Sequence, residues 1–134
     1  MAQQLAQKDI FNSNTYSNRD VNNEHSAIDL IYLSKQTNGN PNLEQEILKL
    51  FARQLMISHD RLQVCNSREN WVEIFNFIDA SAQSVGAKEL SNTAAQTAQD
   101  DNSFDITQRA SHLARLDKHI DQVNRFLADL INQH

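Results

Sequence analysis

Residues 71–90 read WVEIFNFIDASAQSVGAKEL, and this stretch decides the fold. Its first part places apolar residues at the three- and four-residue steps of an α-helix, so that all of them share one side: Trp71, Ile74, Phe75, Ile78, Ala82 and Val85. Gly86 then ends or bends the helix, and Ala87 and Leu90 open another. The stretch predicts two helices that meet at a tight turn and bury that apolar side in a core.

Upstream, a short helix and a long one are predicted. Order is expected to begin near Ser26 or Asp29, and an apolar run over residues 28–33 ends at Thr37-Asn38-Gly39, with Gly39 as the left-handed stop. Asn40 and Pro41 supply an N-cap and a first-turn proline for a second helix that runs to about Val64. Its apolar residues follow helical spacing: Leu43, Ile47, Leu50, Phe51, Leu55 and Leu62. Asn66 or Ser67 caps the third helix.

Downstream, two more helices complete the pattern. A stripe of mostly small residues lets the fourth helix approach its neighbour closely: Ala87, Leu90, Ala94, Ala95 and Ala98. Residues 100–103 form a loop, and Asp105 with Gln108 has the spacing of a capping box. A heptad seam marks the last helix, at Ile106, Leu113, Ile120 and Leu127 with Leu116, Val123 and Leu130. Core packing within a monomer is favoured over a coiled-coil dimer for this seam.

Composition agrees with a single helical domain. The chain has 134 residues, of which 40% are apolar, with two glycines and one proline. We expect an all-α fold, an up-and-down four-helix bundle with a short additional N-terminal helix, over residues 26–134. Residues 1–25 are rich in Gln, Asn and Ser and are expected to form an arm that is either mobile or loosely docked through Leu5, Ile10 and Phe11.

Charge and cysteine content restrict the partners and the compartment. The formal charge is −5, and the basic residues are spread among acidic ones, which argues against nucleic-acid binding. A lone cysteine, Cys65, cannot form an internal disulfide, and the sequence has neither a secretory signal pattern nor an apolar run that would span a membrane. A cytoplasmic protein without a membrane partner is therefore predicted.

Reactive side chains give little sign of catalysis. His112 and His119 lie two helical turns apart, which is long for binding one ion, so solvated surface histidines are predicted rather than a metal site. Cys65 follows an apolar helix and reads as a buried structural thiol. With glycine only at 39 and 86, the chain lacks phosphate-binding glycine loops. We expect no cofactor and no enzymatic activity.

The third helix also presents a polar side, opposite the apolar one. Its members are Glu73, Asn76, Asp79, Ala80 and Gln83. Phe77 lies at the border, where it either packs at the edge of the core, the favoured interpretation, or stays partly exposed as a docking contact.

Two stretches resemble a known family. The residues that carry the likeness are Asp29-Leu30, Leu33, Thr37-Asn38-Gly39-Asn40-Pro41, Leu43, Glu46, Leu50-Phe51, Ser81-Ala82-Gln83-Ser84-Val85-Gly86-Ala87 and Leu90. Together they resemble the bacterial histidine-phosphotransfer (HPt) domain over residues 28–99. The family's segment Ala-His-x-Leu-Lys-Gly aligns with Phe75-Asn76-Phe77-Ile78-Asp79-Ala80, so Asn76 occupies the position of the phosphoacceptor histidine.

This resemblance implies a phosphorelay module that has lost its chemistry. An asparagine amide nitrogen is a very poor nucleophile, since its lone pair is delocalised into the carbonyl. Asp79 stands where the family has a lysine near the phosphoryl group, and an acid there repels phosphate. Ala80 replaces the family's glycine and adds one methyl group. Some plant relatives that carry asparagine at this position are regarded as antagonists of relay.

Three functional hypotheses follow from the sequence. The first is a pseudo-HPt module of a two-component system that binds a response-regulator receiver or a histidine kinase, with docking residues Glu73, Asn76, Phe77, Asp79, Ala80 and Gln83. The second keeps phosphotransfer and moves the acceptor to another histidine, with His59 the nearest candidate. The third is a helical adaptor or assembly protein unrelated to phosphorelay.

Overall fold

Five helices account for most of the chain in the computed structural model, which describes residues 26–132. They are α1 (Leu30–Thr37), α2 (Pro41–Gln63), α3 (Arg68–Val85), α4 (Lys88–Gln99) and α5 (Ile106–Asn132). No strand occurs within residues 26–132. The prediction of an all-helical protein with a short additional helix at the N-terminal side is confirmed. The predicted N-terminal arm, residues 1–25, lies outside the described part.

Side-chain caps fix the first residues of three helices. Asp29, Asn40 and Ser67 each accept a hydrogen bond from the backbone N–H three residues later, at 3.1, 3.0 and 3.1 Å. These bonds satisfy donors that the first turn of a helix leaves without a partner. The caps predicted at Asn40 and at Asn66 or Ser67 are thereby located at Asn40 and Ser67.

Left-handed residues end α1 and α3. Thr37 is followed by two of them, Asn38 (φ 53°) and Gly39 (φ 72°), so the stop comes one residue before the predicted one. Gly86 ends α3 as predicted, with φ 79°. A side chain at Gly86 would also lie 3.2 Å from the Asp29 carbonyl oxygen. Glycine is therefore required there both for its backbone angle and for the close approach of the segment that leads into α1.

The core is built on the predicted apolar side of α3. All six of its residues are buried: Trp71, Ile74, Phe75, Ile78, Ala82 and Val85. The Trp71 indole N–H donates to the Ser103 hydroxyl at 2.9 Å, and that hydroxyl donates to the Thr97 carbonyl at 2.8 Å. The largest buried side chain thus has its polar atom satisfied by the loop before α5.

The four longer helices pack in a ring. Helix α3 packs against α2 and α4, and α5 closes the ring by packing against the same two helices. Helix α1 lies against α2. Short connections between consecutive helices produce this arrangement of sequential neighbours, as in helical bundles.

Helix α2 departs from the sequence prediction. Its buried residues are Glu44, Leu48, Phe51, Ala52, Leu55, Ser58 and Leu62. Leu43 and Leu50, which were assigned to the apolar side, are 44% and 54% exposed, and Leu48 is buried instead. Helix α2 carries more apolar residues than one buried side can hold. The spacing of these residues alone therefore does not show which of them pack against α3 and α5.

The seam of α5 is shorter than predicted. Leu116, Ile120, Val123 and Leu130 are buried, and Leu113 and Leu127 pack partly against the core. Ile106, the first residue of the helix, is 85% exposed and does not belong to the seam. At the N-terminal end, the backbone carbonyl of Asp105 accepts from the N–H groups of Gln108 and Arg109 at 2.8 and 2.9 Å.

Candidate functional site

The outward side of α3 contains the residues that the sequence singles out. Glu73, Asn76, Ala80 and Gln83 are exposed, and Asp79 is partly buried. They lie opposite the buried apolar residues because a helix turns by about 100° per residue. The structure thus brings the predicted site residues together on one accessible surface, which we call the α3 surface.

Asp79 is tied to the neighbouring helix. Its carboxylate oxygen Oδ1 accepts from the Ser91 hydroxyl of α4 at 2.5 Å and from the Gln83 amide at 3.0 Å. These bonds hold the carboxylate at the edge of the α3 surface, towards α4. Helical spacing within α3 does not indicate this contact, because Ser91 lies twelve residues away on another helix.

The Phe77 side chain is half exposed to solvent. Its side chain is 49% exposed, so the favoured prediction of a core-edge position is wrong, and the alternative of a partly exposed residue describes it. The reason is that α3 already fills its core side with Trp71 and Phe75, whose rings lie 5.0 Å apart. An exposed aromatic ring next to Asn76 gives the α3 surface an apolar contact point.

A groove of about 340 Å³ lies at the C-terminal end of the α3 surface. Its lining residues are Asp29, Tyr32, Gln83, Gly86, Lys88 and Ser91. The groove forms where the start of α1 meets the turn between α3 and α4, and the Asp29 N–H donates to the Gly86 carbonyl at 2.9 Å. Tyr32 and Lys88 were missed from the sequence, because only the docking of α1 brings the two regions together.

The two histidines of α5 are partly buried, contrary to the prediction of solvated surface groups. His119 Nε2 lies 3.2 Å from the Thr93 hydroxyl, and His112 Nδ1 lies 3.5 Å from the Thr97 hydroxyl. Loss of solvent lowers the pKa of both imidazoles below 6.5, and Arg115 adds to the effect on each. Nearby carboxylates oppose this lowering of the pKa, Asp100 at His112 and Glu89 at His119. The two histidines contribute to the contact between α4 and α5.

The side chains that could bind a metal ion are dispersed within residues 26–132, and Cys65 lies in a turn. Within residues 26–132, no three His, Cys, Asp or Glu side chains are grouped in a way that would hold a metal ion. Cys65 is partly buried rather than fully buried, and its thiol donates to the Ser67 carbonyl at 3.2 Å. The bond places this thiol in the turn between α2 and α3.

His59 lies in the interface of α2 with α5. Its side chain is 17% exposed, and its Nε2 is 3.9 Å from an Asp117 carboxylate oxygen. Its position is therefore less accessible than that of Asn76.

Comparison with protein-family models, with curated proteins and with solved structures finds no match for this chain. None of the helices in the described part is both long and apolar enough to cross a membrane.

Proposed function

We propose that this chain is an HPt-like signalling module of a two-component phosphorelay that does not accept phosphate and that binds a response-regulator receiver or a histidine kinase through the α3 surface. The observation that supports this most is the exposure of Asn76, the residue that the resemblance aligns with the phosphoacceptor. A cytoplasmic location agrees with the lone cysteine.

The chemistry at the acceptor position argues for a silent module. The Asn76 side chain has no nitrogen with an available lone pair, so it cannot form the N–P bond that relay requires. The Asp79 carboxylate, one turn further along α3, is held near that position by Ser91 and Gln83. A phosphoryl group brought to Asn76 would be repelled by this carboxylate.

The composition of the α3 surface supports docking. Phe77 and Ala80 offer apolar area, and Glu73 and Gln83 provide a polar margin, which is the usual arrangement of transient protein interfaces. The bond to Ser91 holds the Asp79 carboxylate at the edge of the α3 surface that faces α4. Asp79 opposes docking to the acidic pocket that the resemblance implies for a response-regulator receiver, so the apolar contact of Phe77 and Ala80 has to outweigh this repulsion.

Phosphoryl acceptance is tested by intact mass after incubation with a small phosphoramidate donor. We expect no mass gain, because Asn76 is not nucleophilic and the histidines within residues 26–132, namely His59, His112 and His119, are partly buried. An acid-labile adduct would overturn the silent-module proposal. Mapping it to one of these histidines would establish a relay protein with a relocated acceptor.

Two variants separate the two reasons why no phosphate is expected to be accepted, which are the missing nucleophile at Asn76 and the carboxylate of Asp79. Asn76→His alone is expected to accept phosphate poorly because Asp79 remains charged. Adding Asp79→Asn removes the charge and keeps an oxygen that can accept from Ser91, so the double variant should be phosphorylated faster. Equal rates for the single and double variants would show that the Asp79 charge is unimportant.

Docking is tested by biolayer interferometry against purified receiver and histidine-kinase domains of the source organism. Phe77→Asp should abolish binding to the cognate domain by placing a charge in the apolar centre of the contact. Ile106→Asp is the matched control, since Ile106 is also an exposed apolar residue but lies at the start of α5. Absence of binding to every domain, or an equal loss in both variants, would contradict the docking proposal.

A further inference from the structure

A second surface, on α2, is apolar and has no counterpart in the proposed function. Leu43, Leu50, Ile57 and Val64 lie seven residues apart, with Val64 directly after the last residue of α2, and their exposed fractions are 44%, 54%, 52% and 81%. We call these four residues the α2 stripe. Single exposed apolar residues are common on protein surfaces, whereas an aligned row along a whole helix indicates an interaction site.

The seven-residue spacing of the stripe is suited to packing against another helix. A strict seven-residue repeat drifts by about 20° per heptad on a straight helix, and this drift is compensated when two helices supercoil. The core side of α2 has its own row at the same spacing, formed by the buried residues Leu48, Leu55 and Leu62. The α2 stripe is therefore additional to the core of the bundle.

The α2 stripe is self-complementary. Its four residues are arranged symmetrically about the bond between Arg53 and Gln54. In an antiparallel pair of α2 helices centred on that bond, Leu50 lies opposite Ile57 of the second copy, and Leu43 lies opposite its Val64. Such pairing by a twofold axis buries the same surface on both copies.

Charged neighbours select this orientation. Glu46 and Arg61 are exposed and lie symmetrically about the same midpoint. Antiparallel pairing brings Glu46 of one copy towards Arg61 of the other, whereas parallel pairing would bring Glu46 towards Glu46. Arg53 lies beside the midpoint in both copies, and this like charge opposes the association. Within the monomer Glu46 already pairs with Lys49 at 3.2 Å, so these charges favour the antiparallel orientation but add little to the strength of the association.

From these observations we infer that two copies of this chain associate through an antiparallel pairing of their α2 stripes. The inference does not depend on the proposed function, because it uses α2 and not the α3 surface. It revises the expectation of a monomer, which considered only the seam of α5.

Sedimentation velocity over an about hundredfold range of protein concentration tests the association. The wild-type protein should shift from monomer to dimer as concentration rises. Leu50→Glu should weaken the dimer by about tenfold or more, because two carboxylates would enter the apolar contact. Leu50 is exposed in the monomer, so the far-UV circular dichroism of the variant should be unchanged. Ile106→Glu, at a more exposed apolar site outside α2, should dimerise like wild type.

A charge reversal tests whether the paired α2 helices are antiparallel and whether the partner is a second copy of the chain. Glu46→Arg and Arg61→Glu should each weaken the dimer about two- to fivefold, and the double variant should recover wild-type association. Phe77→Asp should leave the dimer intact while losing receiver or kinase binding, so the failure of one proposal is distinguishable from the failure of the other. A protein that is monomeric throughout, or a double variant that does not recover, would overturn the antiparallel homodimer.

Discussion

Helices α2 and α3 are both amphipathic but use their apolar residues differently. In α3, all six apolar residues at helical spacing are buried, so all of them pack in the core of the bundle. In α2, one row of apolar residues is buried at Leu48, Leu55 and Leu62, and a second row, the α2 stripe, stays in contact with solvent. The spacing of apolar residues therefore identifies the side of a helix that packs against another element. It does not show whether that element belongs to the same chain.

The contrast is sharpest within α3, between Trp71 and Phe77. Trp71→Ala should lower the free energy of unfolding by about 4 kcal/mol, because a buried ring is lost. The variant also removes the indole that donates to Ser103. Phe77→Ala should change the free energy by about 0.5 kcal/mol, since the ring is half exposed. Urea denaturation followed by circular dichroism measures both, and similar losses would show that Phe77 belongs to the core.

The same comparison applies within α2, between Leu55 and Leu50. Leu55→Ala should cost about 3 kcal/mol of unfolding free energy, because a residue that is 1% exposed leaves a cavity. Leu50→Ala, the same change one row away, should cost about 0.5 kcal/mol or less in dilute solution. The two denaturation midpoints are to be compared at a concentration where the protein is monomeric. A large loss for Leu50→Ala would mean that the α2 stripe is packed within the monomer.

Local rules were enough where a single helix decides the outcome. The caps at Asn40 and Ser67, the stop at Gly86 and the buried side of α3 all follow from residues close in sequence. Local rules failed where two segments that are distant in sequence pack against each other. The bond from Ser91 to Asp79, the groove that Tyr32 helps to line and the choice of Leu48 over Leu50 each depend on which helix lies next to which.

The candidate site was predicted to a similar extent. Helical spacing placed Glu73, Asn76, Ala80 and Gln83 on one accessible side, where the structure has them. The partial exposure of Phe77 was not the favoured prediction, because a border position on a helix leaves the packing of its neighbours undetermined. The likeness of this site to an HPt domain stays a proposal that the phosphorylation and binding experiments test.

The histidines of α5 extend the comparison from apolar to titratable side chains. Burial at the contact with α4 lowers the pKa of His112 and His119 below 6.5, so the unfolded chain binds protons more readily than the folded one. Their contribution to stability is therefore fully present above pH 6.5 and is lost as the pH falls through the lowered pKa values of the folded protein.

The expected result is a smaller acid-induced loss of stability in the double variant His112→Gln/His119→Gln than in wild type. The carboxylates are the same in both proteins, so the difference between their urea midpoints at neutral and mildly acidic pH reports the two histidines together with the 3.9 Å contact of His112 with Asp100. This is the smallest of the three effects, because both imidazoles keep some contact with solvent. If the stability of the two proteins depended on pH in the same way, these histidines would be as freely solvated as the α2 stripe. The contact between α4 and α5 would then be looser than the distances from His119 to Thr93 and from His112 to Thr97 indicate.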